Sequence, residues 1–235
     1  MIPLHDDNPT KLTPVVTIAS IAVCVLVFFY QASLPAGLGN TFVFQYGAIP
    51  ALVFGQTDLL ETVMPIPAYA TLITSMFLHG GWMHLIGNML YLWVFGNNIE
   101  DVMGHAKYVV FYLACGILAA LSHALTNPSS PIPMVGASGA ISGVLGAYLL
   151  LFPRARVLVI MPGFGTTRVA AGFVLGMWFV MQLLSGGMSI RSEGGGVAFF
   201  AHIGGFVAGM ALIGLFKRPD VPFLAPSHRD RKGTG

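Results

Sequence analysis

Ser138 is a lone nucleophile candidate in the stretch Pro133-Met-Val-Gly-Ala-Ser-Gly-Ala-Ile-Ser-Gly-Val-Leu-Gly-Ala147, one hydroxyl among small residues at the start of an apolar helix. His202 stands further on, in Ala201-His-Ile-Gly-Gly205. An imidazole that takes the proton of a serine hydroxyl makes it a nucleophile, and can return that proton to a leaving amine. His84 and Asn88 are four residues apart and share one helix face. With the backbone N–H of Ser138, they could aim donors at a developing oxyanion. Each residue also has a plainer reading. Ser138 fits a small-residue packing face, and His202, His84 and Asn88 fit hydrogen bonds between helices.

These residues must be held by segments built for lipid. Of 235 residues, 55% are hydrophobic and 9% charged, against about 25% charged in a soluble domain. The bilayer is the expected solvent, and the fold class is all-α, a polytopic bundle of six transmembrane helices. Spans are read at Pro14–Leu34, Thr74–Asn98, Tyr108–Thr126, Ser138–Phe152, Val169–Ser185 and Val197–Phe216. Pro35–Ile73, broken by Pro35, Pro50, Pro65 and Pro67, reads as an outer loop partly embedded at the surface. The chain divides into a polar segment 1–13, a membrane domain 14–216 and a basic, Pro-containing tail 217–235 that reads as disordered. Pro131 and Pro133 disfavour helix before Ser138, and serine is a preferred N-cap.

Six spans put both termini on one side. With the N-terminus inside, ten of the 11 Lys and Arg residues fall inside and only Arg191 falls outside, as the positive-inside rule requires. The expected location is a prokaryotic plasma membrane with both termini cytosolic. No Asp, Glu, Lys or Arg falls within an expected span, which singles out the polar residues that do. Ser138 and His84 each lie ~21 Å above the inner ends of their spans, and His202 lies ~8 Å below the outer end of its own. Three segments thus bring a polar group to one depth, roughly 9 Å below the outer face of a ~30 Å core. The fourth span is too short to cross alone, so a water-filled cavity open to the outside is expected around its start.

Cys24 and Cys115 both sit in apolar runs without CxxC spacing, and His79 and His84 lack the spacing and glutamate of a helical zinc-protease site. The reading therefore calls for no metal and no cofactor. A net charge of +2, scattered along the chain, gives no nucleic-acid surface. No buried carboxylate is expected beside His202, so the catalytic unit would be a dyad.

Three motifs together resemble the rhomboid family of intramembrane serine proteases: His79-Gly-Gly-Trp-Met-His84-Leu-Ile-Gly-Asn88, Gly136-Ala-Ser138-Gly139 and Ala201-His202-Ile-Gly-Gly205. Their order and spacing agree over roughly 71–216. The resemblance implies Ser138 as nucleophile, His202 as general base, and His84, Asn88 and the Ser138 amide as oxyanion stabilisers. It implies transmembrane protein substrates cut near their outer ends, with small side chains at the cut. The sequence departs from the family at two places. Ala70 and Thr71 stand where many members carry Trp-Arg. Ser142 stands where some members stack an aromatic ring on the histidine. Something else must anchor the outer loop and orient His202. The alternative is a non-cleaving protein of the same fold that binds membrane helices, although the intact Ser138/His202 pair speaks against it. A transporter is disfavoured by the lack of charges in the spans and of internal repeats. Substrate identity and oligomeric state stay open. The glycine-rich stretch 186–196 is expected to cap the cavity or to serve as a plain connector.

Overall fold

The computed structural model describes residues 1–57, 64–161, 163, 165–189 and 198–225. In chain order the elements are β1 (Ile2–Asp6), α1 (Val15–Ser33), α2 (Ala36–Tyr46), α3 (Pro50–Val53), α4 (Thr71–Thr74), α5 (Trp82–Met103), α6 (His105–Ala124), α7 (Ser138–Leu151), β2 (Arg156–Met161), β3 (Gly165–Ala170), α8 (Ala171–Ser189) and α9 (Phe199–Phe216). Among the described residues, α1, α6, α8 and α9 are long and apolar enough to cross a membrane. α7, with 14 residues, is about 21 Å long. It is buried nearly end to end, from Gly139 through Tyr148 and at Leu151. Its short length is tolerable because protein surrounds its ends, where lipid could not satisfy them.

α7 owes its central place to small residues. A Cβ on Gly209 of α9 would strike the carbonyl of Gly143, one on Gly205 that of Gly139, and one on Gly146 of α7 that of Phe206. The backbones of α7 and α9 therefore touch along a row of glycines, the small-residue packing that lipid-embedded helices use. α1 and α8 lie at the other extreme. Leu26, Phe29 and Tyr30 of α1, and Phe173, Leu183 and Leu184 of α8, point outward as lipid-facing residues do.

The all-α expectation needs correction. β1, β2 and β3 form a three-stranded antiparallel sheet. β2 alternates Val157 and Val159 into the core, the period-2 pattern of a half-buried strand. A bulge between Pro3 and His5 shifts the register of β1, so Pro3 and Asp6 face inward. Asp6 there accepts hydrogen bonds from Tyr148 Oη and, at 3.0 Å, from Asn98 Nδ2. Burial pushes its carboxyl up to about 6, a rise that the Tyr148 bond partly offsets.

The second span also differs from its reading at 74–98. The chain takes a single turn at α4 and a 3-10 turn at Ser75–Phe77, then enters α5 only at Trp82. α5 runs on to Met103 and so includes Glu100 and Asp101, against the expectation of charge-free spans. Glu100 is fully buried and accepts from the amides of Val16 and Thr17 (2.8 Å each), from Thr17 Oγ1 (2.7 Å) and from His105 Nδ1 (2.6 Å). Asp101 takes the amides of Lys11 and Leu12. Glu100 thus supplies open N–H groups of the first turn of α1 from another helix, and Asp101 ties down the segment just before α1, which explains why the two acids can sit there.

The tail is not wholly disordered. Arg218 N bonds to Val102 O at 3.0 Å, and Leu224 and Ala225 bond to Leu150 and Leu151 O at 2.9 and 2.8 Å. The outer loop lacks Trp-Arg but is tied down by backbone. Ala48 bridges Met134 in both directions, Ala51 N bonds to Ser130 O, and Thr74 Oγ1 donates to Tyr46 O. Of the expected cap or connector at 186–196, residues 186–189 continue α8, while residues 190–196 and the end of the tail lie outside the described residues.

Candidate active site

The site forms where α5, α7 and α9 start, on the side of the bundle away from the sheet. Before α7, Gly136 has φ +125°, a conformation that side chains other than glycine's rarely adopt. Its amide bonds to Ser75 O at 2.8 Å. A Cβ at this position would fall within 2.6 Å of His84 Cε1, so the missing side chain lets the imidazole lie against the turn. This turn sets Ser138 as the first helical residue of α7, with Ala137 as the cap residue. The expected capping role of Ser138 does not occur, and its hydroxyl is turned to another helix.

That helix is α9. His202, one turn in from its start, is buried, and its Nε2 lies 2.8 Å from Ser138 Oγ. The close approach of Gly139 and Gly205 described above brings the two helices near enough for this bond. The other ring nitrogen, Nδ1, lies 2.7 Å from Gln182 Oε1 on α8. Trp178, one turn before Gln182, sets its ring 5.8 Å from that of His202, tilted by 38°. Ser142 takes no part in orienting the histidine. It is buried and donates to the Ser138 carbonyl at 2.6 Å. Gln182 and Trp178 escaped the sequence reading, which looked for a carboxylate. The available signal was an amide in an otherwise apolar span.

His84 and Asn88 face the same place. A cleft of about 190 Å³ is lined by Met83, His84, Asn88, Ser138, Trp178 and His202 among others. Gly80 N donates to His84 Nδ1 at 3.3 Å, which leaves the proton on Nε2, the atom beside Gly136. A neutral imidazole in that tautomer is a donor toward the cleft. Asn88 Nδ2 rests on the His84 carbonyl at 2.8 Å. The N–H of Ser138, in the first turn of α7, has no acceptor within that helix, and the positive end of the helix dipole lies there. The structure thus brings together around one cleft all four residues singled out by sequence, Ser138, His202, His84 and Asn88. His79 stays just outside, with its ring edge toward His84 and its carbonyl accepting from Gln31 Nε2 at 2.9 Å. Among the described residues no group of His, Cys, Asp and Glu could hold a metal ion.

Residues 67–219 match the family model described as "Rhomboid domain". The chain is 32% identical to RHOMBOID-like protein 5 of Arabidopsis thaliana over 67% of this chain and 47% of the relative. It is 31% identical to Rhomboid protease GluP of Bacillus subtilis over 87% of this chain and 36% of the relative. Rhomboid protein 1, mitochondrial, of Saccharomyces cerevisiae is 30% identical over 60% of this chain and 40% of its own length. The chain therefore spans about half or less of the relatives it matches. One of them is named for mitochondria, so the comparisons do not support the expectation of a prokaryotic plasma membrane.

Proposed function

The chain belongs to the rhomboid family, an integral-membrane family, and on that premise we propose that it is an intramembrane serine endopeptidase. It hydrolyses peptide bonds in or near transmembrane segments of other proteins. The observation that carries this reading is the 2.8 Å approach of His202 Nε2 to Ser138 Oγ, made across two buried helices. As Ser138 Oγ attacks the scissile carbonyl, His202 takes its proton and then delivers it to the leaving amine. The oxyanion of the tetrahedral intermediate is met by the Ser138 amide and by His84 and Asn88, both of which line the cleft. Water then repeats the cycle on the acyl-enzyme.

The reading includes six spans, with α5 and α7 added to the four long apolar helices, and both termini on the cytosolic side. Its support is the sheet. β1 precedes α1 and β2 follows α7, yet they pair, which requires an even number of crossings between them. α1, α5, α6 and α7 supply four. The positive charges at Lys11, Arg154, Arg156 and Arg168 then share that face.

The test is cleavage of a model transmembrane substrate by detergent-purified protein, wild type beside Ser138→Ala. Product from the wild type alone supports the proposal. Binding of the substrate helix without any product from the wild type leaves a non-cleaving helix-binding protein in its place.

A further inference from the structure

Three side chains on three helices stand in one line: Gln182 on α8, His202 on α9 and Ser138 on α7, linked at 2.7 and 2.8 Å. We propose that Gln182 is a positioning residue whose amide oxygen accepts the Nδ1–H of His202 and so fixes the tautomer that can act as base. The inference rests on the Ser138–His202 reading above.

A neutral imidazole carries one N–H and can place it on either nitrogen. With the proton on Nε2, His202 would present a donor to Ser138 Oγ and could not take its proton. With the proton on Nδ1, the Nε2 lone pair faces the hydroxyl. An amide oxygen accepts and cannot donate, so the Oε1 contact selects the second form. In serine hydrolases of another fold, an orienting partner that imposes the wrong tautomer costs about 10⁴ in rate. Trp178 lies one turn from Gln182 on the same helix face and covers the imidazole from the side. The ring is thus held in position by packing and in protonation by the amide.

An amide suits this place better than a carboxylate. α8 is largely lipid-facing, and an ionised carboxylate at a helix centre is costly to insert. Glutamine supplies the acceptor without that charge. The described side-chain carboxylates, Asp6, Asp7, Glu100, Asp101 and Asp220, all have partners elsewhere, none of them at His202.

The test compares wild type, Gln182→Leu and Gln182→Glu in detergent, reading kcat and KM on a transmembrane substrate. The tautomer of His202 is read by 15N NMR of histidine-labelled protein, its signals identified by their loss in His202→Ala. Wild type should show the proton on Nδ1. Gln182→Leu should lower kcat on the order of 10- to 100-fold with KM changed less than about 2-fold, and should lose the single tautomer. Gln182→Glu keeps an acceptor and should recover most of kcat. A wild-type His202 protonated on Nε2 overturns the proposal, and that reading needs no variant to fold. Unchanged kcat in Gln182→Leu overturns it too, as does equal loss in the Leu and Glu variants with the tautomer intact, which would be a packing effect. If Ser138→Ala cleaves like wild type, the dyad reading has failed instead.

Discussion

The two ends of α7 are fixed by different physics. At the start, Gly136 turns the chain beneath the His84 ring, and Gly139 and Gly143 let the backbone of α9 come into contact. No added methyl fits there. At the far end, Tyr148 Oη holds the carboxylate of Asp6, brought in by a strand from the other end of the chain. That contact is polar, charge-sensitive and made by side chains. The geometry of the candidate site is thus set by close packing, and that of the opposite end by polar side-chain contacts.

The largest effects should come from the reacting pair. Ser138→Ala and His202→Ala should each reduce cleavage to background, and the double variant should fall no further than either, because the two act as one unit. A further large loss in the double variant would break the pairing. The measurement is the cleavage rate of purified, folded variants.

Removing an oxyanion donor typically costs about 10²–10³ in rate. His84→Ala should approach that range, with Asn88→Ala below it because His84 and the Ser138 amide remain. If neither variant changes kcat, these side chains only pack helices.

Packing at the same end is tested by Gly209→Ala. The new methyl meets the Gly143 carbonyl, and overpacking of this kind costs about 1–3 kcal/mol. The melting temperature in detergent and the cleavage rate should fall together. Gly176→Ala on α8, where the methyl meets nothing within 4 Å, should stay within about 0.5 kcal/mol of wild type. Equal effects at the two positions would remove the distinction drawn here.

The smallest effect is expected at the sheet end. Asp6 has its carboxyl raised to about 6 by burial, from 3.8. A carboxyl raised on folding contributes stability that is fully present below about pH 3.8 and is lost as pH rises through about 6. Wild type should therefore gain stability between pH 7.5 and 5, by roughly 1 kcal/mol, read as a rise in melting temperature. Asp6→Asn keeps an acceptor for Tyr148 and cannot ionise, so it should lack that gain while kcat changes little. Parallel pH profiles for the two proteins would show that Asp6 is not the titrating group.

Much of the candidate site was legible because its residues are informative one by one. A serine, two histidines and an asparagine in apolar runs stand out, and glycines at helical spacing mark where backbones meet. The helix ends of α1, α7 and α9 fell within two residues of their expected positions. The start of α5 did not, because apolarity continues from Thr74 through a turn that only the local backbone ends. The sheet was not legible. β1 is only five residues long, holds a proline, and pairs with residues about 150 positions away, a contact that no local pattern announces. Glu100 and Asp101 read as lying beyond a span because their partners, the amides of Val16 and Thr17 in α1 and of Lys11 and Leu12 before it, are remote in sequence. Gln182 was passed over because an amide orienting a histidine leaves no periodic signature.

The central claim is that Ser138 is a nucleophile activated by His202. Labelling the purified protein with a fluorophosphonate, followed by peptide mass mapping, tests it most directly. The account predicts one adduct, on Ser138, absent in Ser138→Ala and formed far more slowly in His202→Ala. An adduct elsewhere, or labelling of His202→Ala at the wild-type rate, would contradict it.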